Sequence, residues 1–304
     1  MNFLNLIRYQ NLLFIALVQV LIKYALFPAF NVDTSLNALD FALLILASLC
    51  IAAAGNVIND VYDVAIDKVN KPKKVLIGNK ISETFANRLY IILNVIGVGV
   101  GFYLSNSIQK PGFAALFIII SALLYLYASY LKSVFLVGNL VVSILVAMSL
   151  LIVPIFELLP AITPENQASQ TVGFKIVLNY ALFAFYINLI REIVKDLEDI
   201  NGDKKGEMNT LPIVLGRKRT VNLVFILAIL AVLGLVLYMY ENLYNVQLLM
   251  LYFLLALVAP LLYFCIKAWD AKRPKDYAFL SRLLKIIMFF GICALALYQF
   301  VILK

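Results

Sequence analysis

Histidine is absent from this chain. Imidazole is therefore excluded as a metal ligand and as a general base. Cysteine is scarce, and Cys50, Cys265 and Cys293 all fall in apolar runs. They read as packing residues, which leaves no disulfide framework. Charge is scarce as well, at 14% of 304 residues against 64% apolar. That balance excludes a soluble domain with a large core and describes an integral membrane protein. The apolar runs do not alternate with polar residues, which excludes a β-barrel. No small-residue cleavage site follows the first apolar run, so it reads as a span and not as a signal peptide.

What the chain does have is long hydrophobic runs. Nine are predicted to cross the membrane, at 12–30, 39–62, 88–105, 112–131, 134–156, 175–194, 220–240, 246–268 and 281–303. Each has about the length needed to cross a roughly 30 Å hydrocarbon layer as a helix. Gly97, Gly99 and Gly101 in the third span allow close helix contact. The expected fold is all-α, a polytopic bundle forming one domain over residues 1–304. All basic residues except Lys23, Lys110, Lys175 and Lys304 fall at the N-terminus, in even-numbered connections or at the span ends beside them. The positive-inside rule then puts the N-terminus in the cytoplasm and the C-terminus outside, in a cell inner membrane. The net charge of +8 is charge of that one face and needs no nucleic acid.

The most informative pattern is acidic and occurs twice. Asp60, Asp63 and Asp67 share the spacing i, i+3, i+7 with Asp196, Asp199 and Asp203. Carboxylates beside a bilayer are costly and require a cause. Four spans separate the copies, so both face one side, in the second and sixth connections. Asn59 precedes the first copy and shares a helical face with Asp63 and Asp67. Such hard oxygens suit Mg²⁺, which takes carboxylates, amide oxygens and substrate phosphates. Glu198 points elsewhere on a helix and reads as solvated. A solvated helix end with scattered acids is the plainer alternative for either copy alone; the repetition argues against it.

Basic residues surround both copies. Lys68, Lys71, Lys73 and Lys74 follow the first, and Lys204 and Lys205 the second. Arg191 and Lys195 precede the second on one helical face. Cations beside a metal cluster grip phosphate oxygens and neutralise departing charge. Tyr125, Tyr127, Tyr130 and Lys132 lie near the end of span four, and Tyr130 and Lys132 are taken as substrate contacts. Asn139 in span five reads as a helix-packing amide that needs a partner.

At these residues the sequence resembles the UbiA superfamily of intramembrane prenyltransferases. Asn59-Asp60-x-x-Asp63-x-x-x-Asp67 is similar to that family's first motif, and Asp199-x-x-x-Asp203 to its second. Lys71-Pro72 and the run from Gly206 to Pro212 also resemble the family, whereas Lys74-Val75-Leu76-Ile77 departs from an Arg-Pro-Leu-Pro run seen in many members. The resemblance implies a bundle around a central cavity open to the cytoplasmic side. It implies transfer of a prenyl group from an isoprenyl diphosphate, dependent on two Mg²⁺ ions (or Mn²⁺), by way of an allylic cation. Asn59, Asp60, Asp63, Asp67, Asp196, Asp199 and Asp203 would hold the metals. Lys68, Lys74, Arg191, Lys195 and Lys204 would lie on the diphosphate side, with Asp196 a candidate acceptor base. The stretch from Arg191 to Pro212 resembles the geranylgeranylglycerol-phosphate geranylgeranyltransferase branch, whose acceptor is a phosphoglycerol lipid. Aromatic acceptors of quinone biosynthesis stay open.

A secondary transporter is the competing class, since transporters also hold intramembrane acids. Their ligand groups sit near the bilayer midplane, whereas both clusters here lie at one face. The Gly-x-Gly-Asp signature of intramembrane aspartyl proteases is missing around Asp203, as is the segment expected of a CDP-alcohol phosphotransferase.

Overall fold

The computed structural model describes residues 2–302, with the side chains of Lys74 and Ile302 outside the described residues. A short helix α1 (Asn2–Leu6) leads into α2 (Tyr9–Ala29). Then come α3 (Ala38–Tyr62), a short α4 (Val64–Asn70), α5 (Glu83–Ser107), α6 (Pro111–Ser129) and α7 (Val137–Glu157). The chain continues through α8 (Gln167–Lys205), a single turn α9 (Leu211–Val214), α10 (Arg217–Asn242), α11 (Gln247–Trp269) and α12 (Pro274–Ile302). Nine of these are long and apolar enough to cross a membrane, in agreement with the nine expected spans. Sheet structure among the described residues is limited to one isolated bridge, Ile77 to Ile81.

Local chemistry sets several helix ends. The Asn37 side chain accepts from the Leu39 and Asp40 N–H groups and opens α3; Ser82 caps α5 through the Phe85 N–H. Helix α5 packs closely on α3 and α6 where Gly97 and Gly101 remove side chains. A Cβ at Gly97 would stand 2.6 Å from Ile51, and one at Gly101 would stand 2.3 Å from Phe117. Gly99 meets nothing, so only two of the three glycines serve close packing.

The largest departure from expectation is α8. Span six was expected to end at 194 with the second acid cluster in a connection. Instead the helix runs 39 residues and carries Asp196, Asp199 and Asp203 on its last three turns. Hydropathy falls there while Arg, Glu, Lys and Leu sustain helix propensity as far as Ile200; Asn201 and Gly202 then lower it. Gly202 stays helical because its N–H bonds Asn70 Oδ1 at 2.8 Å, and a Cβ at Gly202 would strike that amide at 2.2 Å. The expected outer connection 157–174 is shortened to match, since α8 starts at Gln167. Lys23 is likewise no loop residue. It sits in a π-helical stretch of α2 and pairs with buried Glu157 at 2.6 Å.

Candidate active site

One cavity of about 960 Å³ opens between α2, α3, α4, α6, α7, α8 and α12. Phe117, Ile152, Tyr180, Phe183 and Ile292 line its apolar reach. Asn59, Asp60, Asp63, Asp67, Asp196, Asp199 and Asp203 line its polar end, so the structure brings both acid clusters to one space. Helix periodicity explains the second wall. Asn188, Glu192, Lys195, Asp196, Asp199 and Asp203 recur every three or four residues and form one face of α8.

The first cluster straddles the junction of α3 and α4. Asn59 donates to Asp63 Oδ2 at 2.6 Å, while its own Oδ1 is buried with no partner. Lys132 pairs with Asp63 Oδ1. Lys132 is held in a tight turn against Gly138, where a Cβ would meet the Lys132 Cα at 2.6 Å. The Asn209 N–H, donating to Ser133 O at 2.9 Å, ties that turn to the segment after α8. Asp60 takes an ion pair from Arg8 at 2.7 Å. Arg8 stands in a left-handed conformation (φ 52°) at the break between α1 and α2. Asp67 lies in α4. Burial first, then the nearby Asp63 and Asp60, push its carboxyl above the usual carboxylate range.

The second cluster is clamped to the first. Lys71, just after α4, pairs with Asp199 at 2.7 Å and with Glu198 at 3.3 Å. Burial works against the Lys71 charge, but the two acids outweigh it and hold the ammonium above its usual range. Asp196 accepts from Asn139 Nδ2 at 2.9 Å. Asn188 donates to Ser143, and Ser143 back-bonds to Asn139, so a polar chain crosses between α7 and α8.

Some sequence assignments change. Glu198 is not solvated but paired to Lys71. Asn139 serves the site and not helix packing alone. Tyr130 is 64% exposed and does not line the cavity; Tyr127, one turn earlier, does. Lys68 and Lys204 are exposed and outside the cavity, because each helical turn there aims only every third or fourth residue inward. The Lys74 side chain lies outside the described residues. Arg191, Lys195 and Lys132 do line the cavity. Arg8, Asn70, Lys71, Glu192 and Lys285 were missed or unassigned. Their partners lie mostly far away in sequence; Glu192, on the stripe of α8, and Lys71, read among the cations after the first copy, carried a readable signal.

Among the described residues no three acidic side chains converge tightly enough to hold a cation by themselves. The donor set nevertheless fits Mg²⁺, which commonly takes one or two carboxylates and fills its shell with substrate phosphates and water. The partnerless Asn59 Oδ1 is a further hard oxygen beside Asp63.

Six of the nine spanning helices among the described residues line a cavity that is acidic at one end and apolar beyond, the arrangement of an intramembrane enzyme site. The sequence profile of the UbiA prenyltransferase family matches residues 13–300. The chain belongs to that family and is an integral membrane protein. Digeranylgeranylglyceryl phosphate synthase of Methanococcoides burtonii is 31% identical over 294 residues, which cover 96% of this chain and 97% of that protein. A solved structure concerned with digeranylgeranylglyceryl phosphate synthase in membranes superposes with a TM-score of 0.63 at 23% identity, covering 98% and 97% of the two chains. A UbiA homologue from Archaeoglobus fulgidus, bound to DMAPP and Mg²⁺, superposes with a TM-score of 0.55 at 15% identity over 97% and 99%.

Proposed function

We propose that residues 1–304 act as one prenyltransferase domain that moves a prenyl group from an isoprenyl diphosphate to geranylgeranylglyceryl phosphate. The observation that carries this reading is the pair of acid clusters, cross-braced by Lys71, at the polar end of an apolar cavity. The name of the M. burtonii relative, matched across nearly the whole chain, supports the acceptor. The A. fulgidus homologue, holding DMAPP and Mg²⁺ on the same fold, supports the donor and the metal.

Asn59, Asp60, Asp63 and Asp67 would hold one Mg²⁺, and Asp196, Asp199 and Asp203 the other, with Mn²⁺ as a substitute. Bound metal supplies positive charge to the departing diphosphate. Lys71 and Lys132, already at the carboxylates, add donors for the same oxygens. The acceptor hydroxyl oxygen forms a bond to C1 of the prenyl chain. The C1–O bond to diphosphate breaks with its electron pair, and the hydroxyl proton leaves to solvent or a carboxylate. The apolar walls take the tail, at about 0.8 kcal/mol per buried CH₂, and keep water from the allylic centre. By the distribution of basic residues, the N-terminus and the site face the cytoplasm in a cell inner membrane.

The test supplies purified protein with a radiolabelled allylic diphosphate and, separately, geranylgeranylglyceryl phosphate or hydroxybenzoate. Ether product with the first, lost in EDTA, is expected. Product with the aromatic acceptor alone would overturn the acceptor, and turnover in EDTA would overturn the metal role.

A further inference from the structure

The cavity has a second charged wall, which meets the metal set only where Arg8 pairs with Asp60. It is built from the α1–α2 break, α8 and α12. Arg8, Arg191, Lys195 and Lys285 all line the cavity there. Lys285 bonds Asn11, three residues after Arg8 on α2, and Arg191 and Lys195 share Glu192. Two carboxylates answer these four cations. Asp60 takes Arg8 at 2.7 Å, and Glu192 takes Arg191 at 3.0 Å and Lys195 at 2.8 Å. The Lys285 Nζ reaches no carboxylate; its hydrogen bond goes to Asn11 Oδ1 at 2.8 Å, with the Phe14 ring 5.1 Å below. The Arg191 Nε is buried with no hydrogen-bond partner.

This wall therefore leaves one ammonium without a counterion and one guanidinium edge without an acceptor. A group that answers both needs is a compact dianion with several acceptor oxygens. A phosphomonoester carries about that charge at neutral pH. We propose that Arg8, Arg191, Lys195 and Lys285 form a subsite for the phosphomonoester of the acceptor, separate from the diphosphate held at the aspartates. The proposal rests on the acceptor reading above and deepens it. It moves Arg191 and Lys195 from the diphosphate, where sequence placed them, to the other substrate.

Helix geometry supports the division. Lys195 and Asp199 are one turn apart on α8, about 6 Å along the axis, and Arg191 is one turn further in. An acceptor phosphate on the basic wall would leave its glycerol hydroxyl between the two subsites, beside the prenyl carbon. The cations on the other side, Lys71 and Lys132, are both paired with motif carboxylates, whereas on the basic wall only Arg8 is. Each basic set thus has its own anion.

The test measures both Michaelis constants for wild type, Lys285→Gln and Arg191→Gln. Substrates are geranylgeranylglyceryl phosphate and an allylic diphosphate with Mg²⁺. Each variant should raise KM for the phospholipid by about tenfold or more, the size of one charge-assisted contact, and leave KM for the diphosphate within about twofold. Glycerol phosphate should inhibit wild type competitively against the phospholipid and not against the diphosphate. A rise in the diphosphate KM instead, or unchanged KM for both, overturns the subsite. If Arg191→Gln does not fold, Lys285→Gln decides, since Lys285 holds only Asn11. Wild-type protein that ignores the phospholipid refutes the acceptor reading itself; wild type that uses it while both variants do so normally refutes only the subsite.

Discussion

Two sets of ionised groups lie near the opposite ends of α3, and they are built on different terms. At the Ala38 end, Lys23 and Glu157 are 7% and 0% exposed, and each finds its partners within the fold. Lys23 also donates to Leu36 O, and Glu157 also accepts from the Leu36 N–H. At the Tyr62 end, Asp60, Asp63 and Asp199 keep about a fifth of their surface in contact with solvent, face a cavity, and leave oxygens to spare. A pair closed off from solvent and from the cavity serves the fold. An unsaturated cluster held beside a cavity serves chemistry and gives up stability for it.

The sharpest test of that contrast removes one acid from each end of the cavity's polar cluster. Asp63→Ala and Asp199→Ala should each cut kcat/KM by roughly a thousandfold or more, with a smaller loss of melting temperature than Glu157→Gln. Near-normal turnover in both would show that the clusters do not share a reaction. The opposite outcome is expected at the other end. Glu157→Gln leaves Lys23 buried without a counterion and should destabilise the protein by about 3–5 kcal/mol, read as a lower melting temperature in detergent, while KM for both substrates stays put. Altered KM with unchanged melting would erase the distinction.

A smaller effect belongs to the brace between the clusters. Gly202→Ala drives a Cβ into the Asn70 amide and should cost about 1–3 kcal/mol of stability along with activity. Adding Asn70→Ala should return much of the melting temperature by making room, though without the bond to the Gly202 N–H. No recovery would place the damage elsewhere.

The smallest effect is in pH. Asp67 is held above the ordinary carboxylate range by burial and by Asp63 and Asp60, so its proton competes with metal at higher pH than an isolated aspartate would allow. The Mg²⁺ concentration for half-maximal activity should rise as pH falls through that raised value, and Asp67→Asn should flatten the dependence. For folding the sign is reversed. A raised carboxyl pKa favours the protonated fold, so the metal-free protein gains stability as pH drops through the same window. A wild-type Mg²⁺ requirement constant with pH would count against Asp67 as a ligand.

The bundle was legible in the sequence because spanning length and hydropathy are properties of single segments. The acids were legible because their spacing repeats. The end of α8 was not, since Asn201-Gly202 looks like a terminator until Asn70 arrives from another helix. Arg8 and Lys285 were unreadable as site residues for the same reason. What makes them functional candidates is where α1, α2 and α12 come to rest, and no local pattern encodes that. Tyr130, Lys68 and Lys204 show the converse error, in which nearness along the chain was mistaken for nearness in space.

The lysines at the aspartates carry one more implication. Bare carboxylates gathered at one end of a bundle would repel and pry α3 and α8 apart. Lys71 and Lys132 act as built-in counterions, so those helices can associate during biogenesis before any magnesium arrives. Small metallodomains that are unfolded until loaded follow the opposite rule. Chelation should therefore silence this protein without dismantling it, and readmitting the ion should revive it without refolding.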